Sequence, residues 1–350
     1  MALSTRRRFL NQATAVSFAP AIGRKSAMAQ KSAKSKRDLM MEVLDMGKPP
    51  QYIPAGFFMH FGVTGDAAVK AHLDYFHATG MDFVKIQFDE QRLETKEPVK
   101  TPRDWAKIPI LPESWFEPSL YLLKNLIKAA KPEALIIQTL YSPYQMAKQA
   151  VPWNVLVEHV NQDAEAVSRG MENITLSLMN FVQAAARLGV DGFYMCTQGG
   201  ETNRIADRAL FNRTIKNFDM MLYKQVTERV PYNIMHVCDY DGSYQGFTSR
   251  FQDYPGRVVN VPLSADAQPL SMRRAAEIFK RPVMGGLERL GAISNGTPDQ
   301  AKAAALEVLK TAPANFILGA DCTVNAKAPI ENLRTAIQLA HEYRTHGYRT

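Results

Sequence analysis

Asn233-Ile-Met-His-Val-Cys238 is a short apolar run with the length and composition of a buried β-strand. Residues i and i+2 of a strand point to the same face, so His236 and Cys238 would present an imidazole and a thiol to one point. A second run, Asn315-Phe-Ile-Leu-Gly-Ala-Asp-Cys322, ends in another cysteine. If the fold places the two strand ends side by side, these three side chains form a candidate metal site.

The candidate metal site offers two sulfur atoms and one nitrogen, a donor set that suits Zn²⁺ and leaves a fourth coordination position open. A simpler interpretation competes with it, because a cysteine that ends an apolar strand is usually a small buried hydrophobe. The chain has 3 cysteines, and this odd and widely spaced set indicates free thiols or metal ligands rather than a disulfide framework. The third one, Cys196, is interpreted as a buried strand cysteine, and Glu201 and Asp239 are weaker candidates for a fourth ligand.

Similar apolar runs recur from Pro54 onward and alternate with longer helical patterns, which is typical of repeated βα units around a parallel sheet. The predicted strands are Gly56–Phe61, Phe83–Phe88, Ala134–Leu140, Gly192–Thr197, Asn233–Cys238, Val258–Leu263, Pro282–Leu287 and Asn315–Gly319. The predicted helices are Asp66–Thr79, Glu117–Ala130, Asp163–Leu188, Asp207–Val230, Ser271–Phe279, Pro298–Thr311 and Ile330–His346, with Thr297 as the cap of the helix that Pro298 begins. This α/β pattern predicts a closed (β/α)8 barrel, and an open doubly wound sheet is the alternative.

Active sites of such barrels lie at the carboxyl ends of the strands, where several polar residues of this chain are expected to meet. His60 and Asp89 end the first two predicted strands, and we expect Asp89 to orient or protonate a substrate. Tyr141 follows the third strand and would contribute a hydroxyl group. Thr197 and Gln198 end the fourth strand and are predicted to bind substrate. For each residue a packing or loop-capping role is the alternative.

A long insertion, Asp89 to Ser114, follows the second predicted strand and carries a Lys-, Glu- and Pro-rich segment. Loops of this length on the strand-end side of a barrel are usually functional. We therefore expect it to act as a lid over the active site.

The amino terminus is strongly basic, with nine Lys or Arg and no acidic residue in positions 1–37. Ser4-Thr-Arg-Arg-Arg-Phe-Leu10 resembles the twin-arginine export signature, and Ala27-Met-Ala29 resembles a cleavage site. This pattern predicts a signal peptide over 1–29, an extension over 30–53 and a barrel over 54–350, with export to the periplasm by the twin-arginine translocase. A disordered basic tail on a cytoplasmic protein is the alternative.

Removal of residues 1–29 would also remove five positive charges and lower the formal net charge from +8 to +3. The basic balance of the whole chain is therefore no argument for nucleic-acid binding. No other stretch approaches the ~18 continuous apolar residues that a membrane span requires, so no stable span is expected.

Two passages resemble a known family. Ala314-Asn-Phe-Ile-Leu-Gly-Ala-Asp-Cys-Thr-Val-Asn-Ala-Lys-Ala-Pro-Ile-Glu-Asn-Leu333 resembles the last strand and helix of the uroporphyrinogen decarboxylase superfamily, in the form found in its methyltransferase branch. Pro282-Val-Met-Gly-Gly-Leu287, followed by Gly296-Thr-Pro298, is similar to the preceding unit. The likeness extends more loosely from about Pro54 to the end of the chain. It implies a (β/α)8 barrel of the type shared by these decarboxylases and the MetE methionine synthases.

The resemblance also implies a chemistry. Within this superfamily, methylcobalamin:coenzyme M methyltransferases hold a catalytic zinc through His-x-Cys and a distant Cys, which match His236, Cys238 and Cys322. The expectation is a zinc-dependent transfer of a methyl group, from a corrinoid or a corrinoid protein, to a zinc-activated small-molecule thiol. Methyl-corrinoid carriers are cytoplasmic partners, which conflicts with the predicted export.

The decarboxylase branch fits less well. Its members carry Met-Arg-Gln-Ala-Gly-Arg after the first strand to bind substrate carboxylates, whereas this chain has Phe58-Met-His-Phe-Gly-Val63 with His60 at the first arginine position. Asp89 matches their central aspartate, which is shared across the superfamily. Two alternatives stay open: a metal-free tetrapyrrole decarboxylase that uses Asp89, and a non-catalytic periplasmic barrel that binds a tetrapyrrole or corrinoid.

Overall fold

The described part of the chain is built around a curled parallel sheet of seven strands. The structure is a computed structural model, and it describes residues 34–45, 52–87, 93, 95, 97–238 and 245–343. The predicted signal peptide, Asp89 and Asp239 lie outside the described residues. The sheet strands are β1 (Phe83–Ile86), β2 (Leu135–Tyr141), β3 (Gly192–Thr197), β4 (Ile234–Val237), β5 (Val258–Asn260), β8 (Val283–Leu287) and β9 (Phe316–Ala320).

Neighbouring strands pair in parallel in the order β1-β2-β3-β4-β5-β8-β9. A separate antiparallel pair, β6 (Ser264–Ala265) and β7 (Gln268–Pro269), forms a small hairpin after β5. Seven of the eight strands predicted from the sequence are therefore present, with ends that differ by up to three residues. The α/β barrel prediction is confirmed.

The first predicted strand, Gly56–Phe61, is the exception, because it does not form a regular strand. Only Ala55 makes a bridge, in parallel with Leu318 of β9. The amide of Gly56 donates to the carbonyl of Leu318 at 3.0 Å, while the carbonyl of Ala55 accepts from the amide of Asp82, just before β1, at 3.0 Å. This short segment therefore connects the two edge strands and closes the barrel in place of an eighth strand.

Helices follow the sheet strands and cover the outside of the barrel. They are α1 (Lys36–Leu44), α2 (Gly65–Thr79), α3 (Glu117–Ala130), α4 (Pro143–Ala150), α5 (Trp153–Gln162), α6 (Ala164–Leu188), α7 (Arg208–Phe211), α8 (Asn217–Arg229), α9 (Phe247–Phe251), α10 (Met272–Phe279), α11 (Ala292–Asn295), α12 (Pro298–Thr311) and α13 (Ile330–Glu342). The predicted helix Asp207–Val230 is divided into α7, a π-helical turn at Asn212–Lys216 and α8. None of the described helices is long and apolar enough to cross a membrane.

The residues predicted to begin α12 have the predicted roles. The hydroxyl of Thr297 accepts from the amide of Gln300 at 3.3 Å, and Pro298 occupies the first helical turn. The α12 helix lies close to β8, where Gly286 has a φ of 103°. A Cβ atom at Gly286 would lie 2.4 Å from Cγ1 of Val308, so only glycine fits this contact.

The described part of the long insertion packs on the outside of the barrel. Trp105 is fully buried, and its indole nitrogen donates to Nδ1 of His159 at 3.1 Å. Further along, the amide of Leu111 donates to the hydroxyl of Ser177, a residue of α6, at 2.8 Å. These contacts hold residues 97–114 against α5 and α6. The prediction of a lid now concerns the segment before residue 97, most of which lies outside the described residues.

Candidate metal centre

The carboxyl ends of the strands surround a cavity of about 450 Å³. Residues from β1, β2, β3, β4 and the loops after β8 and β9 form its wall. His236 and Cys238 at the end of β4, and Cys322 after β9, all line this cavity, because the carboxyl ends of all barrel strands surround the same opening. A volume of this size is typical of sites that hold a small molecule.

The three predicted ligands lie close together. One nitrogen of His236 and the sulfur atoms of Cys238 and Cys322 are all within 4.8 Å of one another. The distance between Nε2 of His236 and Sγ of Cys322 is 3.5 Å, although the two residues are 86 positions apart in the chain. Long-range folding therefore produces a cluster that neither short motif contains by itself.

Hydrogen bonds of the backbone fix the ends of the two strands. The amide of Cys238 donates to the carbonyl of Thr197 at 2.9 Å, which ties the end of β4 to β3. The amide of Asp321 donates to the carbonyl of Leu287 at 2.9 Å, which ties the residue before Cys322 to the end of β8. The cysteines are therefore held by the sheet itself rather than by a free loop.

Asn260, at the end of β5, is a buried hydrogen-bonding centre beneath the cluster. Its side-chain amide donates to the carbonyls of Met284 and Ala320, each at 3.0 Å, and its oxygen accepts from the hydroxyl of Tyr194 at 2.6 Å. The ring of Tyr194 lies against the imidazole of His236, with 4.7 Å between centroids. Asn260 therefore links the positions of the imidazole and of the strand that precedes Cys322.

The donor set fits a tetrahedral zinc ion. Zn–S bonds of about 2.3 Å and Zn–N bonds of about 2.0–2.1 Å place neighbouring S and N ligands about 3.6 Å apart. The Sγ–Nε2 distance of 3.5 Å between Cys322 and His236 agrees with that separation. The other ring nitrogen of His236, Nδ1, is buried and has no hydrogen-bond partner among the described residues. Since Nε2 is the nitrogen that faces Cys322, Nδ1 is not a ligand in this arrangement, and the fit to zinc depends on Nε2 and the two sulfur atoms.

The electrostatics of the cluster favour the thiolate form of Cys322 before any metal is considered, and the pKa of Cys196 is lowered as well. A hydrogen bond with Cys238 and the charge of His236 lower the pKa of Cys322. Hydrogen bonds with Cys196 and Cys322, together with burial, raise the pKa of Cys238. Burial lowers the pKa of His236, but the charge of Cys322, the hydrogen bond to it and the charge of Cys196 together outweigh burial and raise that pKa. An anionic sulfur beside a cationic ring is an arrangement that a divalent ion can replace by displacing protons.

The structure brings three of the five predicted substrate residues to the cavity. His60, Tyr141 and Gln198 line it, and the side chain of Gln198 accepts a hydrogen bond from Lys148. Thr197 does not line the cavity, because its hydroxyl donates to Asp219 at 2.7 Å on the opposite face of β3. Asp89 lies outside the described residues, so its role stays a prediction.

Several cavity residues were missed by the reasoning from sequence. Lys85 of β1 is 6% exposed, and its ammonium group lies 4.7 Å from the ring centroid of Tyr194. Arg289, after β8, also lines the cavity, and no Asp or Glu belongs to the part of the wall that the structure describes. The lysine within the apolar run Phe83-Val-Lys-Ile86 is the signal that would have indicated Lys85. The asparagine within Val258-Val-Asn260 would have indicated Asn260 in the same way, although that residue does not line the cavity.

Solved structures of known proteins share the fold of this chain. A methyltransferase from Methanosarcina mazei has a similar structure, with a TM-score of 0.71, 15% sequence identity, and coverage of 91% of this chain and 100% of that chain. A putative vitamin-B12 independent methionine synthase from Listeria monocytogenes is also similar, with a TM-score of 0.53, 13% identity, and coverage of 83% of this chain and 96% of that one. At these identities the likeness concerns the fold. No curated protein has a significantly similar sequence.

The family itself is decided by a sequence model. The model of the uroporphyrinogen decarboxylase (URO-D) family matches residues 58–343, which include every strand of the barrel and the three clustered ligands. The resemblance inferred from the motifs around Cys322 is thereby confirmed. The chain belongs to the uroporphyrinogen decarboxylase family.

Proposed function

We propose that this protein is a zinc-dependent methyltransferase that transfers a methyl group from a corrinoid, free or protein-bound, to a small-molecule thiol. The observation that carries the proposal is the cluster of His236, Cys238 and Cys322, whose ligand atoms lie within 4.8 Å of one another in the wall of the barrel cavity. Membership of the URO-D family and the fold shared with methyltransferases support it.

Three protein ligands leave one position for a substrate, and a substrate bound in the cavity would lie at the carboxyl ends of the strands. Zinc bound there supplies a Lewis acid that lowers the pKa of a coordinated thiol towards neutral pH and keeps the sulfur nucleophilic. His236, Cys238 and Cys322 hold the ion. His60, Tyr141 and Gln198 line the same cavity and would orient the two substrates.

Charge near the site supports a thiol acceptor. Two cysteine thiolates neutralise a divalent ion, so a third thiolate from the substrate gives the site a net charge of about −1. Lys85 and Arg289 line the same cavity and would stabilise that charge, because Coulomb interactions are strong where water is excluded.

Decarboxylation of a tetrapyrrole is less well supported. A porphyrinogen with several carboxylates requires several fixed cations. The described wall of the cavity contributes two, Lys85 and Arg289, and neither occupies the arginine-rich position after the first strand that the decarboxylases use. The cluster of soft ligands would also have no role in that reaction.

The proposal is tested by metal analysis and by a methyl-transfer assay. Purified wild type, loaded with zinc and freed of excess ion, should retain close to one zinc per chain, and Cys322→Ala should retain almost none. With methylcobalamin and 2-mercaptoethanol as probes, the wild type should demethylate the corrinoid, followed by the change in its visible absorption. Thr323→Ala, a neighbouring change in the cavity wall, is the control that should keep its zinc.

The possible results test the zinc site and the methyl-transfer reaction separately. Wild type that retains no zinc would end it. Wild type that retains zinc but transfers no methyl group to any thiol would refute the reaction and leave the metal site. Release of carbon dioxide from a porphyrinogen by metal-free protein would instead support the decarboxylase alternative.

A further inference from the structure

Cys196, the thiol that the sequence suggested was only a buried strand residue, lies against the candidate metal centre. It is 4% exposed and lines the same cavity as His236 and Cys238. In the parallel pairing of β3 with β4, Cys196 is the register partner of His236. Register partners on neighbouring strands point to the same face, so the two side chains enter the barrel side by side.

Cys196 shares the cavity wall with Cys238 and His236. Its thiol makes a long contact of 3.7 Å with the carbonyl of Tyr194, in its own strand. The sulfur of Cys196 is not one of the three ligand atoms that lie within 4.8 Å of one another. It therefore neighbours the ligand set without belonging to it in this arrangement.

A rotation of the side chain alone is enough to change the position of this sulfur relative to the cluster. The cysteine side chain has a single heavy-atom torsion, and a change between staggered χ1 positions moves Sγ by about 3 Å. No shift of β3 is needed, because the backbone of Cys196 is already paired with His236 on one side and with Tyr141 of β2 on the other.

The other candidates for a fourth ligand are less well placed. Glu201 forms an ion pair with Arg204 at 3.1 Å and does not line the cavity. Asp239 lies outside the described residues, and the described part of the cavity wall contains no carboxylate. Among the residues of the described cavity wall, Cys196 is the one further side chain with a soft sulfur donor besides the two cysteine ligands.

We propose that Cys196 is an exchangeable fourth ligand, which closes the metal centre when no substrate is present and yields its position to the incoming thiol. This inference rests on the proposed zinc site. In the exchange, the metal–sulfur bond to Cys196 breaks and one to the substrate sulfur forms. The proton of the incoming thiol passes to the sulfur of Cys196, so that charge and atoms balance without an external base.

This arrangement gives selectivity. A site closed by three sulfur atoms and one nitrogen opens only to a ligand that competes with a thiolate, and water and carboxylates compete poorly with thiolates for a soft coordination position. The built-in thiol would thus hold the ion firmly between turnovers and select thiols as acceptors.

Cobalt substitution tests the inference, because the sulfur-to-cobalt charge-transfer absorption grows with the number of thiolate ligands. Three variants are compared with the wild type without added thiol: Cys196→Ser, Cys238→Ser and the control Thr139→Ser, a change elsewhere in the cavity wall. We expect Cys196→Ser and Cys238→Ser each to lose about one third of the absorption, since each leaves two of three thiolates. Thr139→Ser should keep all of it.

Each outcome is decisive. If Cys196→Ser keeps the full absorption while Cys238→Ser loses about half, the centre has two thiolates and the inference is wrong, although the proposed function stands. If the wild type shows no charge-transfer band, the proposed zinc site fails and this inference with it. Should Cys196→Ser fold poorly by circular dichroism, Cys196→Ala replaces it, and the sulfur count from X-ray absorption of the zinc protein gives the same decision.

Discussion

Asp219, buried in α8 behind the metal-site strands, makes stability depend on pH. It is fully buried, and one of its oxygens accepts from the hydroxyls of Thr197 at 2.7 Å and Tyr254 at 2.9 Å. The other oxygen, Oδ1, has no partner among the described residues. Burial, only partly opposed by the two hydrogen bonds, raises the pKa of Asp219 from 3.8 to about 7.

The direction of this pH dependence follows from the difference between the pKa of Asp219 in the folded protein and its pKa in the unfolded chain. The folded protein keeps the proton on Asp219 up to about pH 7, whereas the unfolded chain releases it near pH 3.8. Stability from this group is therefore fully present below pH 3.8 and is lost as the pH rises to about 7. A rise of about three pH units in the pKa corresponds to about 4 kcal/mol in total, of which about 3 kcal/mol is lost between pH 5 and pH 8.

Asp219→Asn removes the titration while keeping an oxygen that accepts from Thr197 and Tyr254. We expect the free energy of unfolding of the variant, relative to wild type, to rise by about 3 kcal/mol between pH 5 and pH 8. Its absolute value at pH 5 will be lower than that of wild type if the buried amide finds no acceptor, at a cost of about 1–3 kcal/mol. The test therefore depends on how the difference in the free energy of unfolding between variant and wild type changes with pH, and not on its absolute value.

Urea unfolding, followed by circular dichroism at pH 5, 6, 7 and 8, measures this difference. Asp299→Asn, which alters an exposed carboxylate in the first turn of α12, is the control and should follow the wild-type profile within about 0.5 kcal/mol. Parallel profiles for wild type and Asp219→Asn would refute the reasoning, because they would mean that Asp219 is ionised in both states or in neither.

Three further predictions concern other parts of the molecule. Asn260→Ala removes hydrogen bonds to Tyr194 and to two backbone carbonyls, so it should lower stability by about 3 kcal/mol in urea unfolding and weaken zinc retention in competition with a chelator. Thr297→Ala removes a helix cap and should cost about 1 kcal/mol without any change in zinc content. The double change Arg6→Lys with Arg7→Lys should leave the protein in the cytoplasm if the proposed twin-arginine export operates, and periplasmic recovery of this variant in cell fractionation would contradict it.

Local pattern was enough to predict much of the barrel. The strand Gly192–Thr197 and the helices Glu117–Ala130 and Pro298–Thr311 have the predicted bounds. These elements carry a period of two or of 3.6 residues, or begin with a strong cap, and such signals are contained in neighbouring residues. The motifs around Cys322 were similarly sufficient to indicate the family, which the family model confirms.

The closure of the barrel was not predictable in the same way. Gly56–Phe61 has the composition of a strand, yet it forms no regular strand, and the bridge to β9 and the contact before β1 are made by the preceding residue, Ala55. Pairing at the seam of a barrel depends on the stagger of the strands on both sides, and no local pattern encodes that stagger.

The direction of each polar side chain was also decided by the tertiary structure. The sequence placed Thr197 in the substrate site and Cys196 in the core, whereas the register of β3 against β4 brings Cys196 to the cavity and directs Thr197 to Asp219. Neighbouring residues of a strand point to opposite faces, so a choice of face moves every functional side chain at once.

The sequence by itself determined the residue types, the alternation of strands and helices and the spacing of His236 and Cys238, since all three are properties of adjacent positions. Only the tertiary structure decided that Cys322 reaches Nε2 of His236 across 86 residues, at 3.5 Å. That distance results from the parallel pairing of seven strands around one axis, and pairing between distant segments depends on the packing of the whole chain.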